Sequence, residues 1–152
     1  MGVEIERKFL VTGRGYRSGV SHRIRQGYLN LDPDRTVRVR LVDGKAFITI
    51  KGRGLGARQE FEYEIPAADA DQMLNSVCVR PIIEKTRYTI VVGQSTFEVD
   101  EFDGDNAGLT IAEIELDDLD QQFGEPDWLG AEVTQDPRYA NANLVRRPYR
   151  DW

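Results

Sequence analysis

The sequence is poor in the residues that build disulfides and transition-metal sites. Its 152 residues include one cysteine, Cys78, and one histidine, His22. A single cysteine cannot form an intramolecular disulfide, and one cysteine with one histidine cannot supply the ligands of a zinc site or a Cys-His catalytic pair. Any metal site in this chain must therefore be built from carboxylates.

Long apolar runs are also lacking. Charges at positions 4, 6, 7 and 8 interrupt the N-terminal segment, and no stretch has the length of a signal peptide or a membrane span. We therefore expect a cytoplasmic protein with no membrane partner. The net charge of −6 argues against a nucleic-acid partner, because nucleic-acid binders normally carry a basic surface.

The length and composition are typical of one globular domain. The chain is 40% hydrophobic and 30% charged, and no linker or low-complexity segment divides it. We predict a single domain over residues 1–152, with a C-terminal tail at about residues 146–152.

The periodicity of the sequence is mostly two, which is typical of strands. Asp43-Gly44 and Gly93-Gln94-Ser95 are turn signals between such segments, and they predict antiparallel hairpins. We predict eight strands, at residues 3–11, 23–31, 36–42, 46–52, 59–65, 83–92, 96–102 and 109–116. Helices are predicted at residues 66–79 and 137–145, with a short third at 117–123. The predicted fold class is α+β and dominated by strands.

Seven of the predicted strands carry charges on one face and apolar residues on the other. In the first strand, Glu4, Glu6 and Lys8 share a face, opposite Val3 and Ile5. A sheet with one solvated face would explain any single strand of this kind. The recurrence favours a surface with a specific role, and if the eight strands close into an antiparallel barrel, the charged face becomes its interior and the helices cover its outside.

Fifteen ionisable residues would face the interior of such a barrel. The basic ones are Lys8, Arg38, Arg40, Lys51, Lys85 and Arg87. The acidic ones are Glu4, Glu6, Glu60, Glu62, Glu64, Glu98, Asp100, Glu113 and Glu115. Buried charges have to be balanced, so hard divalent cations are expected to offset the excess of three negative charges.

These two sets predict a site for an anion and its metal. The six basic residues are the candidate substrate-binding groups, because arginine forks and lysine ammonium groups bind phosphate oxygens. The candidate metal ligands are Glu4, Glu6, Glu60, Glu62, Asp100, Glu113 and Glu115. We predict Mg²⁺ as the ion, with Mn²⁺ as an alternative. The chemistry that this combination indicates is phosphoryl transfer to water.

The stretch Glu4-Ile5-Glu6-Arg7-Lys8 matches the E-x-E-x-K motif of the triphosphate tunnel metalloenzymes, the CYTH superfamily. The resemblance covers nearly the whole chain and continues in Gln26-Gly27-Tyr28-Leu29, Arg38 with Arg40, Lys51, Glu60 with Glu62, Lys85 with Arg87, Asp100, and Glu113 with Glu115. The sequence is most similar to the prokaryotic inorganic triphosphatases. The resemblance implies a tunnel that binds triphosphate on a basic side and divalent metal on an acidic side.

The resemblance also implies an activity, the metal-dependent hydrolysis of inorganic tripolyphosphate to diphosphate and phosphate. A small triphosphate is then the partner, and Lys85 stabilises the leaving oxygen. One glutamate, with Glu4 and Glu6 as candidates, orients or deprotonates water, and Tyr28 reaches the tunnel as a further catalytic candidate. Thiamine triphosphatase, adenylate cyclase and a noncatalytic polyphosphate or nucleotide sensor stay open as alternatives. The oligomeric state is also open, with a homodimer among the alternatives.

Overall fold

The structure, a computed structural model, describes residues 2–152. Its strands are β1 (Val3–Val11), β2 (Val20–Asn30), β3 (Arg35–Val42), β4 (Lys45–Gly52), β5 (Ala57–Ile65), β6 (Val79–Val92), β7 (Ser95–Phe102), β8 (Thr110–Glu115) and β9 (Leu129–Glu132). The α-helices are α1 (Ala67–Ser76) and α2 (Asn141–Arg146), and 3-10 turns lie at Gly15–Ser18, Gly104–Asn106, Pro137–Tyr139 and Tyr149–Asp151.

Strands β1 to β8 close into an antiparallel barrel with the ring order β1-β5-β4-β3-β2-β6-β7-β8. β1 closes the ring, because its first residues pair with β5, as Val3 with Gln59, and Lys8 pairs with Glu113 of β8. The predicted strand-dominated barrel is therefore confirmed. β9 is an additional strand that pairs beside Phe9 of β1 and was not predicted, because its four residues are too few to show a period.

Both predicted hairpins form. Asp43 and Gly44 join β3 to β4 with φ values of 52° and 76°, the left-handed conformation that matches the twist of the two strands. Gly93, with φ of 63°, begins the turn between β6 and β7. In the adjacent β4–β5 pair, Lys51 lies opposite Glu60, so that charged residues of neighbouring strands meet on the inner face.

Several elements differ from prediction, among them β2, which begins at Val20 rather than at residue 23. β6 begins at Val79 and continues through Pro81, because the β2–β6 ladder shifts register there and a bulge tolerates proline. No helix forms at 117–123, where the Asp117 N–H donates to the Gln121 side chain instead of entering a helical pattern. The helix predicted at 137–145 is divided by Ala140 into a 3-10 turn and α2.

The apolar residues form clusters around the charged interior. Phe97, Ile114 and Trp128 belong to a cluster on the outer face of β7 and β8. On another outer face, Leu74 of α1 packs against Val39 of β3, so α1 lies outside the barrel as predicted.

Helix α2 packs over one end of the barrel. Its Leu144 is buried against Ile83, Phe102 and Ile111. These three residues lie on the same face of their strands as the charged residues, so they also point into the barrel. The interior is thus charged along most of its length and apolar at the end that α2 covers.

Residues 146–152, predicted as a tail, pack beside this end. The Trp152 ring lies edge to face with Tyr139 at 5.1 Å and with Tyr149 at 5.0 Å between ring centroids. The Trp152 indole N–H donates to the Arg147 carbonyl at 3.1 Å. These contacts hold the C-terminus against the segment that carries α2.

Within residues 2–152, no helix combines the length and the apolar character needed to cross a membrane.

Candidate active site

A cavity of about 200 Å³ lies inside the barrel. It is lined by Glu4, Glu6, Lys8, Tyr28, Arg38, Arg40, Lys51, Arg58, Glu60, Glu62, Lys85, Arg87, Glu98, Glu113, Glu115 and Asn141. Every predicted substrate-binding and catalytic residue is in this set, and so is every predicted metal ligand other than Asp100. The structure therefore brings the predicted site together, while the individual roles stay predictions.

Two residues that were expected to line the tunnel do not line it. Glu64 has the inward parity but is exposed near the end of β5. Asp100 is 1% exposed and is covered by the two cations to which it is bonded, since it accepts from Lys85 Nζ at 2.7 Å and from Arg87 Nε at 2.7 Å. Asp100 thus anchors two cations, and a metal could bind its oxygens only if these bonds were given up.

Two lining residues lie outside the predicted set. Arg58 lines the cavity because β5 begins at Ala57, two residues earlier than expected. Asn141 comes from the start of α2 rather than from a strand. With Arg58 included and with Glu64 and Asp100 outside, the wall carries seven cations and seven carboxylates. The expected excess of three negative charges is therefore wrong for the cavity wall.

The two signs of charge are separated around the ring. The consecutive strands β4, β3, β2 and β6 form what we call the cationic arc, which contributes no carboxylate to the cavity and carries Lys51, Arg38, Arg40, Lys85 and Arg87. The strands β7, β8, β1 and β5 form the acidic arc. It contributes all seven lining carboxylates, together with Lys8 and Arg58.

The cationic arc presents donors that lack protein acceptors. Arg38 Nε is the one buried side-chain nitrogen or oxygen in residues 2–152 that has no hydrogen-bond partner. Arg40 donates from Nε to Gln26 Oε1 at 2.8 Å. Burial, followed by the nearby Arg38 and Arg87, lowers the pKa of Arg40 to about 9. Crowded cations beside an unsatisfied donor are typical of a surface that binds oxyanions.

Lys85 is the most buried cation of this arc, with 1% of its surface exposed. Its Nζ donates to Asp100 Oδ2 at 2.7 Å and to Asn141 Oδ1 at 2.9 Å. Burial lowers the pKa of Lys85 to about 7, although Asp100 acts in the opposite direction. A bound polyanion would favour the charged form of this side chain.

Carboxylates crowd one another in the acidic arc. Burial, followed by repulsion from Glu113, raises the pKa of Glu6. Burial, followed by repulsion from Glu4, raises the pKa of Glu115. A divalent cation would relieve this repulsion, and these hard oxygen donors have the chemistry that Mg²⁺ and Mn²⁺ prefer.

The carboxylates are not preassembled around a metal position. Among residues 2–152, no three His, Cys, Asp or Glu side chains converge closely enough to hold an ion. Cations separate them, since Lys51 Nζ lies 2.7 Å from Glu4 Oε1 and Lys8 Nζ lies 3.6 Å from Glu113 Oε2. The donor set suits a divalent ion, and binding would require these ion pairs to rearrange.

Comparison with known proteins agrees with this geometry. The model of the CYTH domain matches residues 2–149. The chain belongs to the CYTH family. The family resemblance predicted from the E-x-E-x-K motif is therefore confirmed.

Two relatives of this CYTH chain are named inorganic triphosphatase. The one from Acetivibrio thermocellus is 51% identical over 156 aligned residues, which cover 100% of this chain and 99% of the relative. The one from Nitrosomonas europaea is 38% identical over 149 residues, which cover 93% of this chain and 96% of the relative.

Solved structures show the same CYTH fold. A crystal structure of an inorganic triphosphatase aligns with a TM-score of 0.68 at 34% identity, covering 93% of this chain and 97% of that one. Membership in this family is consistent with dependence on a divalent metal.

Proposed function

We propose that this chain hydrolyses inorganic tripolyphosphate to diphosphate and orthophosphate, with Mg²⁺ at the acidic arc and Mn²⁺ as a substitute. The observation that carries the proposal is the division of the tunnel wall into a cationic and an acidic arc. A linear triphosphate is a small polyanion whose oxygens suit the unpartnered Arg38 Nε and the guanidinium of Arg40. The two relatives named inorganic triphosphatase support the same substrate.

The cationic arc, with Lys8 across the tunnel, binds and orients the phosphates. In the reaction, the oxygen of water bonds to a terminal phosphorus while the bond from that phosphorus to the bridging oxygen breaks. Diphosphate leaves with the electron pair of the broken bond. Lys85 donates a hydrogen bond to the leaving oxygen, and Tyr28 lines the same cavity with a hydroxyl that can donate to phosphate.

The acidic arc is where the metal is expected. Its candidate ligands on the cavity wall are Glu4, Glu6, Glu60, Glu62, Glu113 and Glu115. When bound, a divalent ion neutralises phosphate charge and polarises the phosphoryl oxygens. One carboxylate of this arc, with Glu4 and Glu6 as the candidates, orients the water and accepts its proton.

A triphosphate that carries an organic group is the second candidate substrate. A groove of about 530 Å³, lined in part by Leu31, Pro33 and Leu55, shares Arg58 with the tunnel. Tyr28 is the one aromatic side chain on the described tunnel wall. An organic substituent, as in thiamine triphosphate or ATP, would therefore lie in the groove while its phosphates occupy the tunnel.

Phosphate release from tripolyphosphate, ATP, thiamine triphosphate and diphosphate tests the proposal when each is assayed with Mg²⁺, Mn²⁺ or Ca²⁺. We expect tripolyphosphate with Mg²⁺ to react fastest and a chelator to abolish release. Ca²⁺ should support turnover poorly, because it is larger and less strict in geometry. Faster release from an organic triphosphate would favour the second candidate. Binding of tripolyphosphate without release under any metal would contradict hydrolysis and indicate a sensor.

The cytoplasmic location remains a prediction from the sequence, and the oligomeric state remains open, with a homodimer among the alternatives. Light scattering on the eluted peak of a sizing column would measure the mass of the particle and decide between monomer and homodimer.

A further inference from the structure

Asn141, the first residue of α2, lies between two cations of the tunnel wall. Its Oδ1 accepts from Lys85 Nζ at 2.9 Å and from Gln26 Nε2 at 2.8 Å. Gln26 Oε1 in turn accepts from Arg40 Nε at 2.8 Å. A hydrogen-bonded chain therefore runs from Arg40 through Gln26 and Asn141 to Lys85.

The groups at both ends determine the direction of this chain. A guanidinium and an ammonium donate hydrogen bonds and cannot accept them. Gln26 must therefore present its oxygen to Arg40 and its NH₂ to Asn141, and Asn141 must present its oxygen to Lys85. A flip of either amide would place two donors face to face. Gln26 is fully buried, so a lost bond would leave an unsatisfied polar group.

The Lys85 ammonium has three N–H donors. One donates to Asp100 Oδ2 at 2.7 Å, and a second donates to Asn141 Oδ1. The third is left for a group inside the cavity, since Lys85 lines it. Because two of the three N–H groups are bonded to acceptors in fixed positions, the direction of the third N–H is fixed as well.

Packing holds Asn141 in place. Leu144 and Val145 of the same helix are 0% and 4% exposed, in the cluster that includes Ile83 of β6. Ile83 and Lys85 are neighbours on one face of β6, so the strand that carries the lysine also seats the helix that carries the asparagine.

We propose that Asn141 is a positioning residue that aims the Lys85 ammonium into the tunnel and, through Gln26, ties it to Arg40. This inference rests on the proposed function, in which Lys85 acts on the leaving oxygen. It means that α2, which contributes no charge to the cavity wall, sets the geometry of the cationic arc.

Three variants test this role. Asn141→Leu removes the acceptor at similar size, and Asn141→Asp keeps an acceptor oxygen in place. Asn143→Leu is the control on the same helix, because the Asn143 amide donates to the Pro137 carbonyl at 2.8 Å and does not line the tunnel. For each protein, kcat and KM for tripolyphosphate with Mg²⁺ and the melting temperature are measured.

We expect Asn141→Leu to lower kcat by about tenfold to a hundredfold, with KM within about threefold of wild type, because misdirection affects the reacting state most. Asn141→Asp should retain more of kcat and raise KM, since its carboxylate adds negative charge beside the substrate. Asn143→Leu should stay within about twofold of wild type in both constants, because it touches neither cation.

Wild-type kcat in Asn141→Leu would overturn the inference, and so would a kcat in Asn141→Asp as low as in the leucine variant. If Asn141→Leu does not unfold cooperatively, the aspartate variant decides alone, and a loss of kcat of about tenfold or more in it overturns the role, because this variant keeps the acceptor oxygen. If wild type does not hydrolyse tripolyphosphate, the proposed function fails instead. Calorimetry of metal-free tripolyphosphate binding then tests the positioning. A small weakening of binding in Asn141→Leu, of up to about threefold as expected for KM, supports the role, and equal binding overturns it.

Discussion

The two arcs of the tunnel wall are built from the same kind of strand and carry opposite charges. Arg38 and Arg40 alternate with apolar residues on β3, just as Glu113 and Glu115 do on β8. The pairing of the strands determines which positions point inward, but it does not determine whether the residue at such a position is acidic or basic. The arcs therefore differ in the sign of the charge that they present to the cavity, although their backbone geometry is alike.

The arcs also differ in how their charges are compensated. Two cations of the cationic arc, Lys85 and Arg87, are compensated by Asp100 of β7, which does not line the cavity and therefore leaves the surface of that arc positive. In the acidic arc, Lys8 and Arg58 stand among the carboxylates on the surface itself. Burial, followed by repulsion from like charges, lowers the pKa of Arg40 in one arc and raises the pKa of Glu115 in the other. A phosphate chain bound together with a metal would relieve this repulsion in both arcs.

The largest expected effect comes from Asp100→Asn, which removes the anchor of the cationic arc. It leaves Lys85 and Arg87 buried without their shared carboxylate. We expect the free energy of unfolding to fall by about 3–5 kcal/mol in urea denaturation. Glu98→Gln is the matched control on the same strand, because Glu98 is partly exposed at 3.3 Å from Arg87 and should cost less than about 1 kcal/mol. Equal stability of the two variants would remove Asp100 as the anchor.

We expect kcat/KM to decrease at high pH because of a group in the cationic arc and at low pH because of groups in the acidic arc. In the proposed mechanism Lys85 acts in its protonated form, and burial lowers its pKa to about 7, so activity should fall as the pH rises through that region. In the same proposal Glu6 and Glu115 act in their ionised form, and burial raises their pKa values above 4.5, so activity should also fall as the pH drops toward those values. Lys85→Arg should move the alkaline limb to higher pH and leave the acid limb in place. An unmoved alkaline limb would assign it to another group.

The smallest effect is expected from Glu64→Gln. Glu64 has the inward parity of the acidic arc but is exposed and outside the cavity wall. We expect the rate of tripolyphosphate hydrolysis to stay within about twofold of wild type, as for a surface substitution away from the site. A tenfold loss would place Glu64 among the functional carboxylates and extend the acidic arc.

Much of the barrel and its wall follows from alternation in the sequence. Successive residues of a strand point to opposite faces, so identifying the apolar residues also identifies those that point into the barrel. On β3, for example, the fully buried Val39 lies between Arg38 and Arg40, which point to the opposite face. The turn at Asp43-Gly44 sets the register of its hairpin by local chemistry. These signals are local, and they place nearly all of the predicted site residues in one cavity.

The remaining features depend on contacts between distant parts of the chain. Arg58 joins the wall because β5 extends to Ala57, which pairs with Ile5 of β1. Asn141 enters the tunnel because Leu144 packs into the barrel end, a placement that no periodicity in the segment indicates. Glu64 was expected on the cavity wall but lies outside it. Alternation shows which face of β5 carries Glu64, but it does not show how far along the strand the cavity extends.

The central claim is that the cationic arc binds the phosphates and the acidic arc supplies the metal-dependent step. Calorimetry of metal-free tripolyphosphate binding, paired with phosphate release in Mg²⁺, tests it most directly on wild type, Arg40→Ala and Glu115→Gln. We predict that Arg40→Ala weakens metal-free binding by about tenfold or more and also slows release, because a charged hydrogen bond is lost. Glu115→Gln should bind metal-free tripolyphosphate as tightly as wild type or more tightly, and release phosphate about a hundredfold more slowly. Release by Glu115→Gln at the wild-type rate, or wild-type binding by Arg40→Ala, would contradict the account.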